Sequence, residues 1–186
     1  HRCRCSPSGL HTLTKRSSSL LSSVWQDNGT GKVRNKKHLT TPDAIEVHKF
    51  LHESVNNGCE FAVIEASSHG LSNDLQRLSE VSFTLSICTN ITSDHLDFHK
   101  NRASYIDAKM NIFRQLNKLS GIAVIPHEAD WVHTARSIVK DHSRIYTWRV
   151  VKEEALKQNE ASYVLSILDI TIAGISIVVH SGNIQN

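Results

Sequence analysis

The sequence predicts an α/β fold, with a mainly parallel sheet flanked by helices and a C-terminal β-hairpin. Three observations carry that expectation. Short apolar runs at residues 61–64, 83–88 and 122–125 are each bounded by polar residues, as buried strands are. Between and after them lie stretches with apolar side chains at helical spacing: Ile45, Val47, Phe50, Leu51 and Val55; Tyr105, Ala108, Ile112, Phe113, Leu116 and Leu119; and Trp131, Val132, Ala135, Ile138 and Val139. The chain then closes on two β-rich runs, residues 161–168 and 170–180, the second interrupted at Ala173-Gly174. Their alternating polar positions suit an antiparallel hairpin at a sheet edge with one solvated face.

Taken in order, residues 1–38 read as a poorly defined leader. HRCRCSPSG has no period and reads as disordered or foreign sequence, and the serine-rich stretch at residues 11–25 makes a poor helix. Asn28-Gly29-Thr30-Gly31-Lys32 has a superficial likeness to a phosphate loop. It lacks the G-x-x-x-x-G-K-[ST] spacing, Val33 follows it, and no apolar strand feeds it, so it reads as a turn between short strands. Thr40-Thr41-Pro42-Asp43 reads as a helix start, with Thr41 as N-cap, Pro42 at the first helical position and an acid in the first turn. Asn57-Gly58 stops that helix. The helix after Asn101 is expected to run on to Gly121. Arg144 to Trp148 makes a short strand, and residues 150–160 form a charged connection.

Composition narrows the function classes. The 186 residues allow one domain, with a small part of another at most. A net charge of +3, with basic residues scattered apart from Lys32, Arg34, Lys36 and Lys37, argues against nucleic acid as a partner. No run approaches the roughly 20 apolar residues of a membrane helix, and the N-terminus has no signal-peptide core. Among the four cysteines, Cys59 and Cys88 sit beside or within strands, and Cys3 and Cys5 form a lone C-x-C. That usage fits a reducing cytoplasm and makes a zinc site unlikely at the N-terminus.

The chemistry gathers between Glu65 and Lys109. Two strands deliver their C-terminal ends to polar clusters, and in an open parallel sheet such ends share one edge, where ligands bind. One cluster offers Glu65, Ser67, Ser68 and His69; the other offers Thr89, Asn90, Thr92, Asp94, His95, Asp97 and His99. Carboxylate, hydroxyl and imidazole together suit a hard divalent ion and phosphate oxygens. His95 and His99, four apart, would also face one metal ion from a helix, and the alternative is a turn in which Asp94, Asp97 and His99 cap neighbouring elements. Lys109 falls within the apolar stripe of its helix, where a lysine must snorkel, pair or lose its charge.

TTPD at residues 40–43, EASSHGL at 65–71, TNITSDHLDFH at 89–99 and YIDAK at 105–109 together resemble the central domain of the Mur ligases, the ATP-dependent amide ligases of peptidoglycan synthesis. The likeness is nearest to members that add the third amino acid to UDP-N-acetylmuramoyl-L-alanyl-D-glutamate. It implies a site. Glu65 and His95 would hold Mg2+, joined by Lys109 once carbon dioxide has carbamylated it; only a neutral amine makes that attack, and the product is an anionic oxygen ligand. Thr40, Thr41, Ser67 and Arg77 would contact the UDP-muramoyl dipeptide, Arg77 as counterpart of a family arginine across a short insertion. Asn90 would stand near the nucleotide phosphates, with His99 structural.

The resemblance also implies a mechanism, in which an acyl phosphate forms at the expense of ATP and an incoming amino acid displaces phosphate. The family's glycine-rich ATP loop upstream of TTPD has only a faint echo here, Thr14-Lys15-Arg16-Ser17. ATP binding and turnover by this chain alone are therefore not expected. The domains that bind uridine and select diaminopimelate or lysine are also missing, so the chain reads as a fragment whose central domain is partial over residues 39–186. Two other readings stay open: a catalytically silent remnant, and a metal-dependent hydrolase built on Asp94, His95, Asp97 and His99. Folylpolyglutamate synthases share the core but fit TTPD and EASSHGL less well.

Overall fold

The computed structural model describes residues 16–37, 39–92, 96–151, 163–171 and 174–181. The chain divides into two compact units, residues 1–81 and 82–186.

The first unit is built on a four-stranded sheet in the order β3-β2-β1-β4. Its elements are β1 (Ser18–Leu21), β2 (Trp25–Asp27), β3 (Val33–Arg34), helix α1 (Ala44–Asn56), β4 (Phe61–Ile64) and the short helix α2 (Ser68–Leu71). β1 and β4 run parallel with Leu21 opposite Ile64, whereas β2 lies antiparallel to both β1 and β3. Residues read from sequence as leader thus form three strands of this sheet. β1 escapes an apolar scan because half of it is serine, yet Ser18 and Ser19 are as buried as Leu20 and Leu21, and the Ser19 hydroxyl donates to the Phe61 carbonyl at 3.3 Å. A small hydroxyl with a backbone partner is tolerated in a core strand.

Asn28 to Lys32 forms the expected turn between β2 and β3. Asp27 Oδ1 accepts from the amides of Gly29 (3.0 Å) and Gly31 (3.2 Å), so an internal carboxylate already occupies the amides a phosphate would need. Gly29 has φ +98°, and a Cβ there would come within 2.7 Å of Cys59 Sγ.

α1 differs from expectation at its start. Asp43, not Thr41, is the N-cap, it makes no side-chain capping bond, and Pro42 precedes the helix. The Thr41 hydroxyl is committed elsewhere, which removes it as a cap. The buried stripe is Val47, Phe50 and Ser54, and Ile45 (84%) and Val55 (70%) face solvent. Ser54 keeps its place on that stripe by donating to the Phe50 carbonyl at 2.8 Å.

The second unit carries a five-stranded sheet in the order β5-β6-β7-β8-β9. Its elements are β5 (Leu85–Ile87), α3 (Leu96–His99), α4 (Arg102–Arg114), β6 (Ile122–Pro126), α5 (Val132–Ile138), a 3-10 turn (His142–Arg144), β7 (Ile145–Val151), β8 (Tyr163–Thr171) and β9 (Gly174–Ser181). The first four strands are parallel and β9 returns antiparallel on β8, so the α/β class, the parallel pairing and the closing hairpin are all present. β4 and β5, however, belong to different sheets, so their C-terminal ends are not paired along one sheet edge as the sequence suggested. Most of the expected charged connection lies outside the described residues. Among those residues, no helix is long and apolar enough to cross a membrane.

α4 stops at Arg114 instead of running on toward Gly121. Asn117 Oδ1 there accepts from the amides of Leu119 and Ser120, turning the chain, and Leu119 is left exposed. The core of this unit joins the helices to β6, with Met110, Phe113, Ala123, Ile125, Trp131 and Ala135 all nearly inaccessible to solvent.

Two consequences are testable. A Cβ built on Gly70 would lie 2.5 to 2.8 Å from the Thr41 side chain. Gly70→Ala should therefore lower unfolding free energy in urea by about 1–3 kcal/mol, and an unchanged midpoint would contradict this packing. Burial pushes the Cys88 thiol up to about 11, against the pull of the nearby Lys109 charge and a hydrogen bond from the Asn90 backbone. Because the folded thiol stays protonated well above neutrality, alkylation at pH 8 followed by peptide mapping should label Cys88 only after unfolding.

Candidate functional site

In the first unit the parallel pairing of β1 and β4 decides which residues meet. With Leu21 opposite Ile64, the chain leaves both strands at the same end, and the Glu65 amide donates to the Leu21 carbonyl at 2.8 Å. Ser23 and Glu65 are thereby brought side by side. Glu65 Oε2 accepts from the Ser23 amide at 2.8 Å and from the Ser23 hydroxyl at 2.9 Å. With that proton committed, the Thr40 hydroxyl, 3.0 Å from Ser23 Oγ, is the donor of the next bond. Asn35 fixes the same turn from below, its buried side-chain amide donating to the carbonyls of Ser22 and Leu39.

Thr41 ties TTPD to EASSHG. It is 1% exposed. Its hydroxyl donates to the Glu65 carbonyl at 3.2 Å and accepts from the Ser67 amide at 2.9 Å and the Ser67 hydroxyl at 3.1 Å. One proton and two lone pairs are all a threonine hydroxyl has, so it is fully used inside the protein. Ser67 Oγ in turn accepts from the Gly70 amide at 3.0 Å and caps α2. Arg77 closes the group: Nη1 donates to the Thr41 carbonyl at 2.8 Å, and Nε lies 3.2 Å from Asp43 Oδ1, near enough for an ion pair though not aligned as a hydrogen bond.

Thr40, Thr41, Glu65, Ser67 and Arg77, all expected at the site from the sequence, come together at the C-terminal end of β1 and β4. Ser23 was not among them. The only signal for Ser23 is its place just after Leu20-Leu21, and those two apolar residues alone do not announce a strand.

The second unit holds the other candidates. Past β5, Cys88 is buried, with its amide bonded to the Val124 carbonyl at 3.0 Å, and Thr89 and Asn90 are exposed. α4 starts cleanly on Asn101, whose Oδ1 accepts from the Ser104 amide at 2.9 Å. Lys109 is half-buried on that helix between Ala108 and Met110, as the stripe predicted, and its charge reaches the Cys88 thiol at the end of β5. Asn90 and Lys109 are therefore both at the C-terminal end of that strand.

Asp94 and His95 lie outside the described residues. His99 is buried, with ring centroids 4.8 Å from Phe98 and 5.2 Å from Tyr105, the surroundings of a packed histidine. Among the described residues no group of three or more His, Cys, Asp and Glu side chains could hold a metal ion.

Comparison with known proteins gives this arrangement its family. The Mur ligase middle domain matches residues 10–183. A UDP-N-acetylmuramyl-tripeptide synthetase of Borreliella afzelii is 31% identical over 150 residues, covering 80% of this chain and 28% of that protein. A UDP-N-acetylmuramoyl-L-alanyl-D-glutamate--2,6-diaminopimelate ligase of Gloeobacter violaceus is 41% identical over 101 residues, covering 54% of this chain and 20% of that protein. Among solved structures, a ligase with that same diaminopimelate-adding name superposes with a TM-score of 0.68 at 26% identity, over 93% of this chain and 33% of the other. MurF from Acinetobacter baumannii shares the fold, with a TM-score of 0.57 at 18% identity over 94% of this chain and 35% of the other. The chain thus spans about a third or less of the length of these proteins, and it belongs to the Mur ligase middle domain family.

Proposed function

We propose that the chain forms part of the central domain of an ATP-dependent carbon–nitrogen ligase that adds the third amino acid to UDP-N-acetylmuramoyl-L-alanyl-D-glutamate. The observation that carries this reading is the bond set of Thr41, which joins TTPD to EASSHG in a chain of this family. Proteins similar to it carry names describing that same tripeptide synthesis. The partners proposed are the UDP-muramoyl dipeptide and an amino acid, with domains to either side of this one in the complete enzyme and the reducing cytoplasm as its setting.

Thr40, Ser67 and Arg77 would orient the dipeptide. Thr41, with no hydrogen-bonding capacity left over, would act by holding Glu65 and Ser67 in place. A substrate carboxylate oriented there attacks the terminal phosphorus of ATP; the new P–O bond forms as the bond to ADP breaks. The incoming amine then attacks the acyl carbon, loses a proton, and expels phosphate to leave the amide. Asn90 would face the nucleotide phosphates.

Mg2+ is the cofactor this chemistry calls for, and the donor chemistry of Glu65 suits it. Glu65 offers an exposed carboxylate beside hydroxyl oxygens, the donor type a hard ion prefers. Lys109 is half-buried and makes no ion pair among the described residues, which leaves its amine open to carbon dioxide. The resemblance assigns Glu65, His95 and carbamylated Lys109 as metal ligands, and the ion when bound would neutralise phosphate charge. The hydrolase reading is not favoured, because His99 is packed among rings instead of facing a metal-bound water. Since Asp27 fills the amides of the Asn28–Lys32 turn, that turn offers ATP nothing, and nucleotide affinity of this chain alone should be weak.

Gentle intact-mass measurement in bicarbonate buffer tests the lysine. The parent chain should carry a labile carbon dioxide adduct that Lys109→Ala lacks; an adduct equal in both would contradict the assignment. Nucleotide titration with and without Mg2+ then separates a competent ligase domain from a silent one.

A further inference from the structure

From the geometry we infer that Ser23 is a positioning residue: it fixes the Glu65 carboxylate for metal and couples it to the substrate-binding Thr40. The inference rests on the metal reading proposed above and adds a residue to it. Both hydrogen bonds from Ser23, one from the amide and one from the hydroxyl, end on the same oxygen, Glu65 Oε2. Among the described residues no hydrogen bond or ion pair reaches Oε1. A carboxylate held through one oxygen by two donors loses its rotational freedom while the other oxygen stays available. That is the arrangement by which partners outside the ligand shell orient a metal ligand.

Two features set Ser23 apart from an ordinary turn serine. Its position is dictated by the β1–β4 register, because the residues after Leu21 and Ile64 leave the sheet together. Its hydroxyl also serves two groups at once, donating to Glu65 and standing 3.0 Å from Thr40 Oγ1. Loss of the hydroxyl therefore removes one of the two donors on Glu65 and the partner of Thr40 together. A change that loosens the metal ligand should loosen the dipeptide contact as well, with the backbone amide bond left in place. Threonine keeps the hydroxyl and should restore both.

Mn2+, followed by its electron paramagnetic resonance signal, is a suitable probe on the full chain. Glu65→Gln should weaken Mn2+ binding by about tenfold or more, Ser23→Ala by about tenfold, and Ser23→Thr by less than about twofold. Thermal unfolding of each variant reports whether it is folded. The Ser23 amide proton resonance gives a readout that needs no metal: it should move upfield in Glu65→Gln, where a charged acceptor is replaced by a neutral one. Parent-like Mn2+ affinity in Ser23→Ala, with binding lost in Glu65→Gln, would overturn the positioning role and leave the metal reading standing. No Mn2+ binding by the parent chain would sink the metal reading, and the positioning role with it. An unmoved amide resonance would show that the contact itself does not form.

Discussion

A single buried hydroxyl, that of Thr41, is the constraint on which the first unit depends. It spends its proton on the Glu65 carbonyl and its lone pairs on Ser67. A part-buried backbone group left unpaired by loss of that hydroxyl, such as the Ser67 amide, would cost about 1–3 kcal/mol. The bonds also dictate shape. The segment before α1 must lie against the turn after β4, and α2 must be capped by Ser67 with a glycine at its third residue, because a Cβ at Gly70 has no room beside Thr41. Arg77 then holds the same loop through the Thr41 carbonyl and Asp43.

The site is thus built from the requirements of buried polar groups. Serine and threonine hydroxyls satisfy the backbone where strands end and helices begin, and the same residues leave Thr40 and Glu65 at the surface. The second unit uses a different device. There an apolar core, dominated by Met110, Phe113, Ile125 and Trp131, carries α4 against β6, and Lys109 rides on that helix close to the end of β5. Its position amid apolar neighbours follows from the packing of Ala108 and Met110 on either side.

Much of this was legible in the sequence, for physical reasons. β4 and β6 are short apolar runs with sharp polar ends, and they appear where the runs are. The closing hairpin follows from period-two alternation. Thr40, Glu65, Ser67 and Lys109 stood out because they occur in linked motifs. What escaped detection had no apolar signature: β1 is half serine, and its burial depends on pairing with β4, a partner some forty residues away. Ser23 was hidden with it. The Thr41 capping expectation failed because a local rule competed with a tertiary bond, and Ser67 won. The α1 stripe was misjudged by a rotation about the helix axis, since Ile45 and Val55 are apolar but face outward while Ser54 is buried. The single sheet edge joining both polar clusters was an inference from parallel topology, and the strand pairing divides β4 and β5 between two sheets.

The end of β1 and β4 is the surface proposed to receive the muramoyl dipeptide. Amide chemical-shift mapping of the full chain with UDP-N-acetylmuramoyl-L-alanyl-D-glutamate tests it most directly. The account predicts perturbations centred on Ser23, Thr40, Glu65, Ser67 and Arg77, weakened when Arg77 is replaced by alanine. Perturbations confined to the second unit, or none at saturating ligand, would contradict it.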